Sequence, residues 1–402
     1  AQPSPMPLPV FLPCAAGVED LLAAEVAQIL GPAVALRRSR GGVALSGNPL
    51  EVMRLNLHTR LAQRVLVEVA AGPYADEHSL YHLARTVDWS LWLTPRHTLR
   101  VDVTTQHSPV KSIRYAALRI KDAVCDQQRD GYGERPSVDT HDADLPLVLH
   151  LQPEEARLYV DTSGAALFKR GWRADVGEAP LKETLAAAML AAAGWHGRPE
   201  AGGALHDPCC GSGTIAIEAA QIACGMAPGL NRRFAFERQL PFRSPEAMRD
   251  WQRLRDEARA AVHPPAVPVF ASDVSFRMVD FARRNAERAG VAHAIEFHGG
   301  DALERPAPVL PPGMAGTLML NPPYGERIDP GGRGAPTGTT GSAHERLEDA
   351  SEPERPADQE APWASQAPRG REAAWSERDG AAQAVASSAF AERLSAHWKR
   401  AY

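Results

Sequence analysis

The chain has 402 residues, of which 44% are apolar and 23% charged, the balance of a globular protein with two or three domains. Its net charge of −5 excludes a surface coated in positive charge for indiscriminate nucleic-acid binding. No apolar run is long enough to span a bilayer, and the proline-rich start lacks the charged segment of a secretory signal. The cysteines follow no disulfide or metal-site spacing, so we expect free thiols, a cytoplasmic protein and no bound metal.

The first region, from about residue 7 to 164, intermingles short strands and helices irregularly. This arrangement predicts an α+β module rather than a long parallel sheet. The predicted strands are 65–70, 99–104, 147–151 and 157–161, and the predicted helices are 18–30 and 111–129.

The second region, from about residue 168 to 328, alternates helices and strands. This rhythm predicts a parallel sheet with right-handed crossovers. The predicted helices are 180–193, 214–223 and 276–289, and the predicted strands are 204–206, 267–271, 295–298 and 317–320.

The third region, 329–387, is rich in Gly, Pro, Ser, Ala and Glu and has almost no aliphatic periodicity. Its composition predicts a disordered insertion. A last helix is predicted over 390–398, close to the end of the sequence at Tyr402.

A glycine-rich turn, Asp-Pro-Cys-Cys-Gly-Ser-Gly, starts at Asp207 between a predicted strand and a predicted helix. Gly211 and Gly213 free the backbone to turn sharply and allow close approach of a ligand. A nucleoside triphosphate loop needs Gly-Lys-Ser/Thr, whereas Thr214 and Ile215 follow here. The turn therefore predicts a site that suits a carboxylate as well as a phosphate and that disfavours nucleoside triphosphates, with a merely tight turn as the alternative.

Two aspartates follow the next predicted strands of this region. Asp273 closes one strand, where a carboxylate can accept both hydroxyls of a ribose, and Asp301 follows the next, where it can accept from an adenine amino group. The alternative for each is a helix N-cap, for Asp273 the cap of the helix near Phe276. Together with the glycine turn, they predict an adenosine-containing cofactor across the strand ends.

The last predicted strand of the region runs into Asn321-Pro322-Pro323-Tyr324. The two prolines remove two N–H donors, so that the Asn321 side-chain oxygen and the Pro322 carbonyl remain as acceptors for an amino group. Tyr324 offers a face on which a base can stack. A proline-stiffened surface turn is the alternative, but the segment favours a pocket for the exocyclic amine of a nucleobase.

These segments resemble the THUMP-containing class I S-adenosylmethionine-dependent methyltransferases that modify guanine N2 in 23S ribosomal RNA. The resemblance covers nearly everything from Phe11 to Arg327. It is carried by residues 115–122, 133–139, 168–173, 179–186, 227–230 and 321–327 together with the glycine turn. The Asn-Pro-Pro-Tyr motif alone is shared with adenine-N6 and glutamine methyltransferases, so it does not select guanine.

The resemblance implies an α/β fold in which a ferredoxin-like segment (7–60) and a THUMP RNA-binding domain (61–164) precede a Rossmann-like methyltransferase domain (168–402). Asn321, Pro322 and Tyr324 would hold the target guanine. The residues implied to hold S-adenosylmethionine are Pro180, Lys182, Glu183, Asp207, Cys209, Gly211, Gly213, Asp273, Asp301 and Asn321. Cys209 is expected to line the wall rather than to act as a nucleophile.

A locally basic stretch supports an RNA partner. From Arg96 to Arg135 there are eight Lys or Arg against five Asp or Glu, the reverse of the global trend. Any one of these side chains is as readily explained by a solvated helix face, but as a group they favour contact with the RNA backbone. The candidates are Lys111, Arg114, Lys121, Arg129 and Arg135.

The expected function is methylation of guanine N2 in 23S rRNA or a large-subunit assembly precursor, with no membrane and no obligate protein partner. The sequence departs from the family because an insertion follows Asn-Pro-Pro-Tyr-Gly-Glu-Arg and the sequence ends where a fifth strand is expected. We therefore expect a domain truncated after its fourth strand. The alternatives are an adenine-N6 methyltransferase acting on RNA or DNA, and a non-catalytic RNA-binding or ribosome-assembly factor.

Overall fold

The structure is a computed structural model that describes residues 7–177, 180–322, 390–397 and 399. Contacts divide these residues into two compact units. The larger contains residues 7–302 in their described parts and Pro308–Asn321, and the smaller contains Leu303–Ala307, Pro322 and the helical residues 390–397. Within the smaller unit, His397 Nε2 lies 2.7 Å from the Arg305 carbonyl oxygen. The predicted insertion at 329–387 lies outside the described residues.

An eight-stranded sheet organises the first region, in the order β2-β3-β1-β4-β8-β7-β5-β6. Strand β5 pairs in parallel with β6 and β7, and the other pairings are antiparallel. Because β4 pairs with both β1 and β8, the sheet is continuous across the predicted boundary at residue 60. The strands are β1 (Leu8–Pro13), β2 (Leu36–Ser39), β3 (Gly42–Gly47), β4 (Leu66–Pro73), β5 (Thr98–Thr105), β6 (Ser137–Val138), β7 (Leu145–Leu151) and β8 (Glu155–Asp161).

Four helices accompany this sheet: α1 (Glu19–Leu30), α2 (Pro49–His58), α3 (Glu77–Arg85) and α4 (Ile113–Tyr132). Local sequence sets their ends, because Ser112 caps α4 through its side chain and Gly133 ends it in the left-handed conformation. The predicted α+β character is confirmed. Strands β1 to β3 and β6 and helices α2 and α3 are additional to the predicted elements.

The described residues of the second region form a four-stranded parallel sheet in the order β11-β10-β9-β12, and its alternation predicted such a sheet. Helix α5 begins at Glu183 rather than at the predicted Pro180, because Lys182 has an extended backbone with ψ of 140°. The elements are α5 (Glu183–Ala192), β9 (Ala204–Asp207), α6 (Thr214–Ala223), α7 (Pro245–Ala260), β10 (Val269–Asp273), α8 (Phe276–Arg288), β11 (Ile295–Gly299) and β12 (Gly316–Leu318).

Helix α6 is the buried helix that follows the glycine turn. Its alanines let it pack against α5 and beneath the sheet. Glu218 of α6 is fully buried and is held by two arginines: Arg170 Nη2 lies 2.7 Å and Arg60 Nη1 3.1 Å from its carboxylate. Because Arg60 follows α2, this charge cluster ties the first region to the helix that begins at the turn.

Candidate cofactor and substrate site

The predicted site segments lie at one edge of the four-stranded sheet. In the parallel register Asp207 pairs with Ala271 and Asp273 pairs with Gly299, while Leu318 pairs with His206. The carboxyl ends of all four strands therefore face the same way. Strand order reverses at β9, whose neighbours are β10 and β12, and open α/β sheets bind ligands at such a switch point.

The two glycines of the turn have different surroundings. Gly213 has φ of 94°, and an added Cβ would lie 2.9 Å from the Cβ of Ala282, so this glycine permits close packing of α8. Gly211 has φ of 52°, and an added Cβ would meet no heavy atom of the described residues within 4 Å. The Gly211 N–H donates to Asp273 and the Gly213 N–H to the Cys210 carbonyl. Gly211 can therefore serve a ligand through close approach, while the N–H groups of both glycines already have protein acceptors.

Asp273 joins the strand end to the glycine turn. Its Oδ2 accepts from the Gly211 N–H at 2.9 Å and its Oδ1 from the Ser275 N–H at 2.9 Å. The alternative in which Asp273 caps α8 is wrong, because Ser275 is the N-cap and accepts from the Met278 N–H. A carboxylate offers about four acceptor sites, so each oxygen retains capacity for a hydroxyl donor.

Cys209 lies in the glycine turn, in an electrostatic environment that opposes ionisation of its thiol. Burial raises the pKa of Cys209, and the charges of Asp207, Asp273 and Asp301 raise it further. Asp207 is 1% exposed, and burial, with a contribution from Asp273, raises its pKa to about 8. This environment keeps the thiol protonated, which agrees with a wall residue and not a nucleophile. Carboxylates at the ends of neighbouring strands suit a cationic ligand.

The segment that precedes α5 is tied to the turn through Arg173, which the site prediction missed. Arg173 donates to Glu183 at 2.9 Å and also to Ser212 and Thr214 on either side of Gly213. Glu183 is 2% exposed. The signal in the sequence was the family segment 168–173, which ends at this arginine.

The other predicted residues of that segment have different surroundings. Lys182 Nζ lies 5.5 Å from the centre of the Phe168 ring, and Pro180 is exposed. Asn285 was also missed: its Nδ2 donates to the Asp175 and Ser212 carbonyls and its Oδ1 accepts from the Ala174 N–H. It anchors the 174–175 backbone and the turn to α8.

The candidate base-binding segment is described only at its start. Met319 N–H donates to the His206 carbonyl at 3.0 Å. This hydrogen bond extends the pairing of β12 with β9 toward the segment. Asn321 follows two residues later in sequence, half-buried, beyond the carboxyl end of β12. Pro322 is also half-buried. Tyr324 lies outside the described residues, as does Pro323.

The predicted RNA-binding residues lie on and around α4. Lys111 and Arg114 are exposed. The other three are ion-paired to carboxylates of α4: Lys121 to Asp122 at 2.9 Å, and Arg129 and Arg135 to Asp126 at 3.2 and 3.7 Å. Tyr115 and Leu118 are exposed on the same helix, 50% and 47% respectively. Arg129 and Arg135 are exposed as well. Within the described residues no carboxylate pairs with Lys111 or Arg114, so these two cations are better presented to a phosphate than the three paired ones.

The described residues gather no group of three potential metal ligands. In the same part of the chain, no helix has both the length and the apolar character needed to cross a membrane.

Family comparisons agree with this geometry. Residues 9–66 match the RlmL ferredoxin-like domain, residues 74–161 the THUMP domain, and residues 170–335 the RMKL-like methyltransferase domain. The fold and these matches thus define a THUMP domain followed by a Rossmann-like methyltransferase domain. Over residues 170–335 the chain is similar to the RMKL-like methyltransferases.

Individual relatives are consistent with this family. The chain is 41% identical over 318 residues to the ribosomal RNA large subunit methyltransferase K/L of Shewanella pealeana, and 40% identical over 317 residues to that of Shewanella loihica. Both alignments cover 78% of this chain and 43% of the relative. The chain therefore spans less than half the length of these relatives.

Solved structures share the fold. A predicted N6-adenine-specific DNA methylase from Listeria monocytogenes is 28% identical, with a TM-score of 0.68 over 80% of this chain and 81% of that one. SMU.472, a putative methyltransferase complexed with SAH, is 27% identical, with a TM-score of 0.70 over 81% of this chain and 82% of that one.

Proposed function

We propose that this chain transfers a methyl group from S-adenosylmethionine to 23S ribosomal RNA, and that the acceptor is the exocyclic N2 amine of a guanine. The observation that carries the proposal is the common edge of the parallel sheet, where Asp207, Asp273, Asp301 and Asn321 follow four neighbouring strands. The relatives named as large-subunit rRNA methyltransferases and the relative complexed with SAH support it.

The residues at this edge fit the cofactor chemically. S-adenosylmethionine, when bound, supplies an electrophilic methyl group on a sulfonium. Asp207 would accept from the α-ammonium group, whose charge offsets the cost of ionising this buried carboxyl. Asp273 would accept from the ribose hydroxyls and Asp301 from the adenine amino group. Gly211 would allow the ligand to approach the backbone closely.

The guanine amine, which accepts the methyl group, has to be oriented by the protein more than it has to be activated by acid–base chemistry. The guanine amine is a poor nucleophile because its lone pair is delocalised into the ring. Acceptance of its N–H groups by the Asn321 side-chain oxygen and the Pro322 carbonyl would favour a pyramidal, partly positive nitrogen over the planar ground state. Tyr324 would stack on the base, a contact worth roughly 1–3 kcal/mol. Alignment of this kind can lower the activation free energy by as much as roughly 7–11 kcal/mol.

The RNA must expose the target base. The N2 amine of a paired guanine lies in the minor groove, so the base has to flip out or the stem has to melt. Lys111 and Arg114, exposed beside and on α4, would contact the RNA backbone during this step.

Nucleoside analysis tests the reaction directly. The chain is incubated with unmodified 23S rRNA and labelled S-adenosylmethionine, and the digested nucleosides are separated by mass spectrometry. We expect labelled N2-methylguanosine, which Asn321→Ala abolishes. The description of the Listeria relative favours adenine N6 as a second candidate. Labelled N6-methyladenosine without N2-methylguanosine would refute the guanine assignment.

Cofactor calorimetry separates an enzyme from a non-catalytic assembly factor that keeps the fold. We expect S-adenosylmethionine to bind the full chain and Asp273→Ala to weaken that binding. The absence of any binding by the unaltered chain would favour the assembly factor. An Asp273→Ala variant with unchanged affinity would contradict the proposed position of the ribose.

A further inference from the structure

We propose that Arg173 is a positioning residue that holds the glycine turn in its cofactor-binding conformation, and that Glu183 acts through Arg173 rather than by touching the cofactor. The inference deepens the proposed function and rests on it. The family resemblance implied that Glu183 holds the cofactor, and it assigned no role to Arg173.

The guanidinium of Arg173 is engaged along all its nitrogens. Nε donates to the Glu183 carboxylate and Nη1 to the Ser212 hydroxyl, both at 2.9 Å. Nη2 donates to the Thr214 hydroxyl at 2.5 Å and lies 3.4 Å from the Leu181 carbonyl oxygen. One side chain thereby joins the segment before α5 to the two residues that flank Gly213.

The turn needs such a support because its backbone is unusual. Gly213, with φ of 94°, is the N-cap of α6 and has no side chain that could accept a hydrogen bond from the first N–H groups of the helix. Its neighbour Ser212 is held from two sides, through its hydroxyl by Arg173 and through its carbonyl by Asn285 Nδ2 at 3.0 Å. Fixing Ser212 and Thr214 fixes the path of the glycine between them.

Glu183 is oriented for this arginine and not for solvent. Its side chain is 2% exposed, and the Arg173 side chain is 16% exposed. Burial raises the pKa of Glu183, and Arg173 is the largest opposing influence. The Glu183 carboxylate thus sets the orientation of the Arg173 guanidinium plane, and the guanidinium contacts the glycine turn at Ser212 and Thr214.

The planar guanidinium of Arg173 is required for these contacts, because a lysine cannot reproduce its fixed set of donors. An ammonium group is a point donor on a flexible stem and cannot hold a carboxylate and two hydroxyls in one plane. Arg173→Lys therefore keeps the charge and most of the volume but releases the turn. The same replacement at Arg64 provides a matched control, because Arg64 is also 16% exposed and pairs with a buried carboxylate, that of Asp161.

Calorimetry with S-adenosylhomocysteine, on the full chain, tests the inference. We expect Arg173→Lys to raise Kd about tenfold or more, the equivalent of one charge-assisted hydrogen bond, with unchanged stoichiometry. Arg64→Lys should leave Kd unchanged. In the methylation assay the KM for S-adenosylmethionine should rise in Arg173→Lys while kcat at saturating cofactor stays the same.

The outcomes separate positioning from stability. A merely structural role would lower the folded fraction, so that stoichiometry and kcat fall while Kd and KM stay, and that result would overturn the inference. Should Arg173→Lys fail to fold, Ser212→Ala and Thr214→Val each remove one partner, and unchanged Kd in both would overturn it as well. No binding by the unaltered chain would overturn the proposed function itself, whereas binding that Arg173→Lys leaves intact would overturn only the positioning role.

Discussion

Replacing Glu218 by glutamine removes the negative charge from the cluster that joins the first region to α6. The carboxylate is fully buried and serves two guanidinium groups, with nitrogens of Arg170 at 2.7 and 2.9 Å and of Arg60 at 3.1 Å. Glutamine keeps the volume and one acceptor oxygen. The two arginine side chains then remain buried without the carboxylate charge that balances them.

The expected loss follows from this geometry. Removal of one partner of a buried ion pair costs about 3–5 kcal/mol, because the remaining charge is left uncompensated. Arg170 keeps the Leu167 and Arg60 carbonyls as acceptors, and Arg60 keeps the Met226 carbonyl. Since these contacts persist, we expect the free energy of unfolding to fall by about 3 kcal/mol, the lower end of that range.

Urea unfolding followed by tryptophan fluorescence measures this loss, with each transition fitted separately because the chain has more than one domain. Asp250→Asn is the control: its pair with Arg253 is 2.9 Å long, but that arginine side chain is 56% exposed, so we expect a change below about 0.5 kcal/mol. A loss below about 1 kcal/mol for Glu218→Gln would refute the view that this charge is required where the two regions meet.

Three further predictions concern the turn, the buried carboxyl and the basic helix. Gly213→Ala should destabilise the fold by more than about 1 kcal/mol, because φ is 94° and the added Cβ would lie 2.9 Å from the Cβ of Ala282. Gly211→Ala should mainly weaken cofactor affinity, because the added Cβ would meet no heavy atom of the described residues within 4 Å. Asp207 is more easily protonated in the folded state, where its pKa is about 8 against an ordinary value of 3.8, so its contribution to stability falls as pH rises from about 4 to about 8. Asp207→Asn should flatten that slope in urea titrations without ligand. Lys111→Glu and Arg114→Glu should weaken RNA binding and reduce the salt slope of log K by roughly 1 each.

Each of these has a contradicting outcome. Equal stability of the two alanine variants would show that the Gly213 contact does not constrain packing. An Asp207→Asn variant that keeps the full dependence of stability on pH would contradict the raised pKa of Asp207. For RNA binding, Arg129→Glu is the comparison, since Arg129 is paired with Asp126, and an equal loss in all three variants would show that pairing does not decide which cations contact RNA.

The sequence by itself determined most elements of the second region, although it did not predict α7, and it did not predict β1 to β3, β6, α2 or α3 of the first region. The alternation of helices and strands predicted the parallel sheet, and α6 occupies the predicted range 214–223. The glycine turn, Asp273 and Asp301 were assigned to strand ends from short patterns that depend only on neighbouring residues. Such patterns suffice because strand and turn preferences are local.

Tertiary structure alone decided which side chains cooperate. Arg173 and Ser212 are 39 residues apart in sequence, Asn285 and Ser212 are 73 apart, and Arg60 and Glu218 are 158 apart. Nothing in the local pattern of any of these residues distinguishes a solvated arginine from one buried against a carboxylate. Their partners are brought together only when the sheets form and α6 is buried, because a charged group enters the interior only where a compensating charge or hydrogen bond meets it.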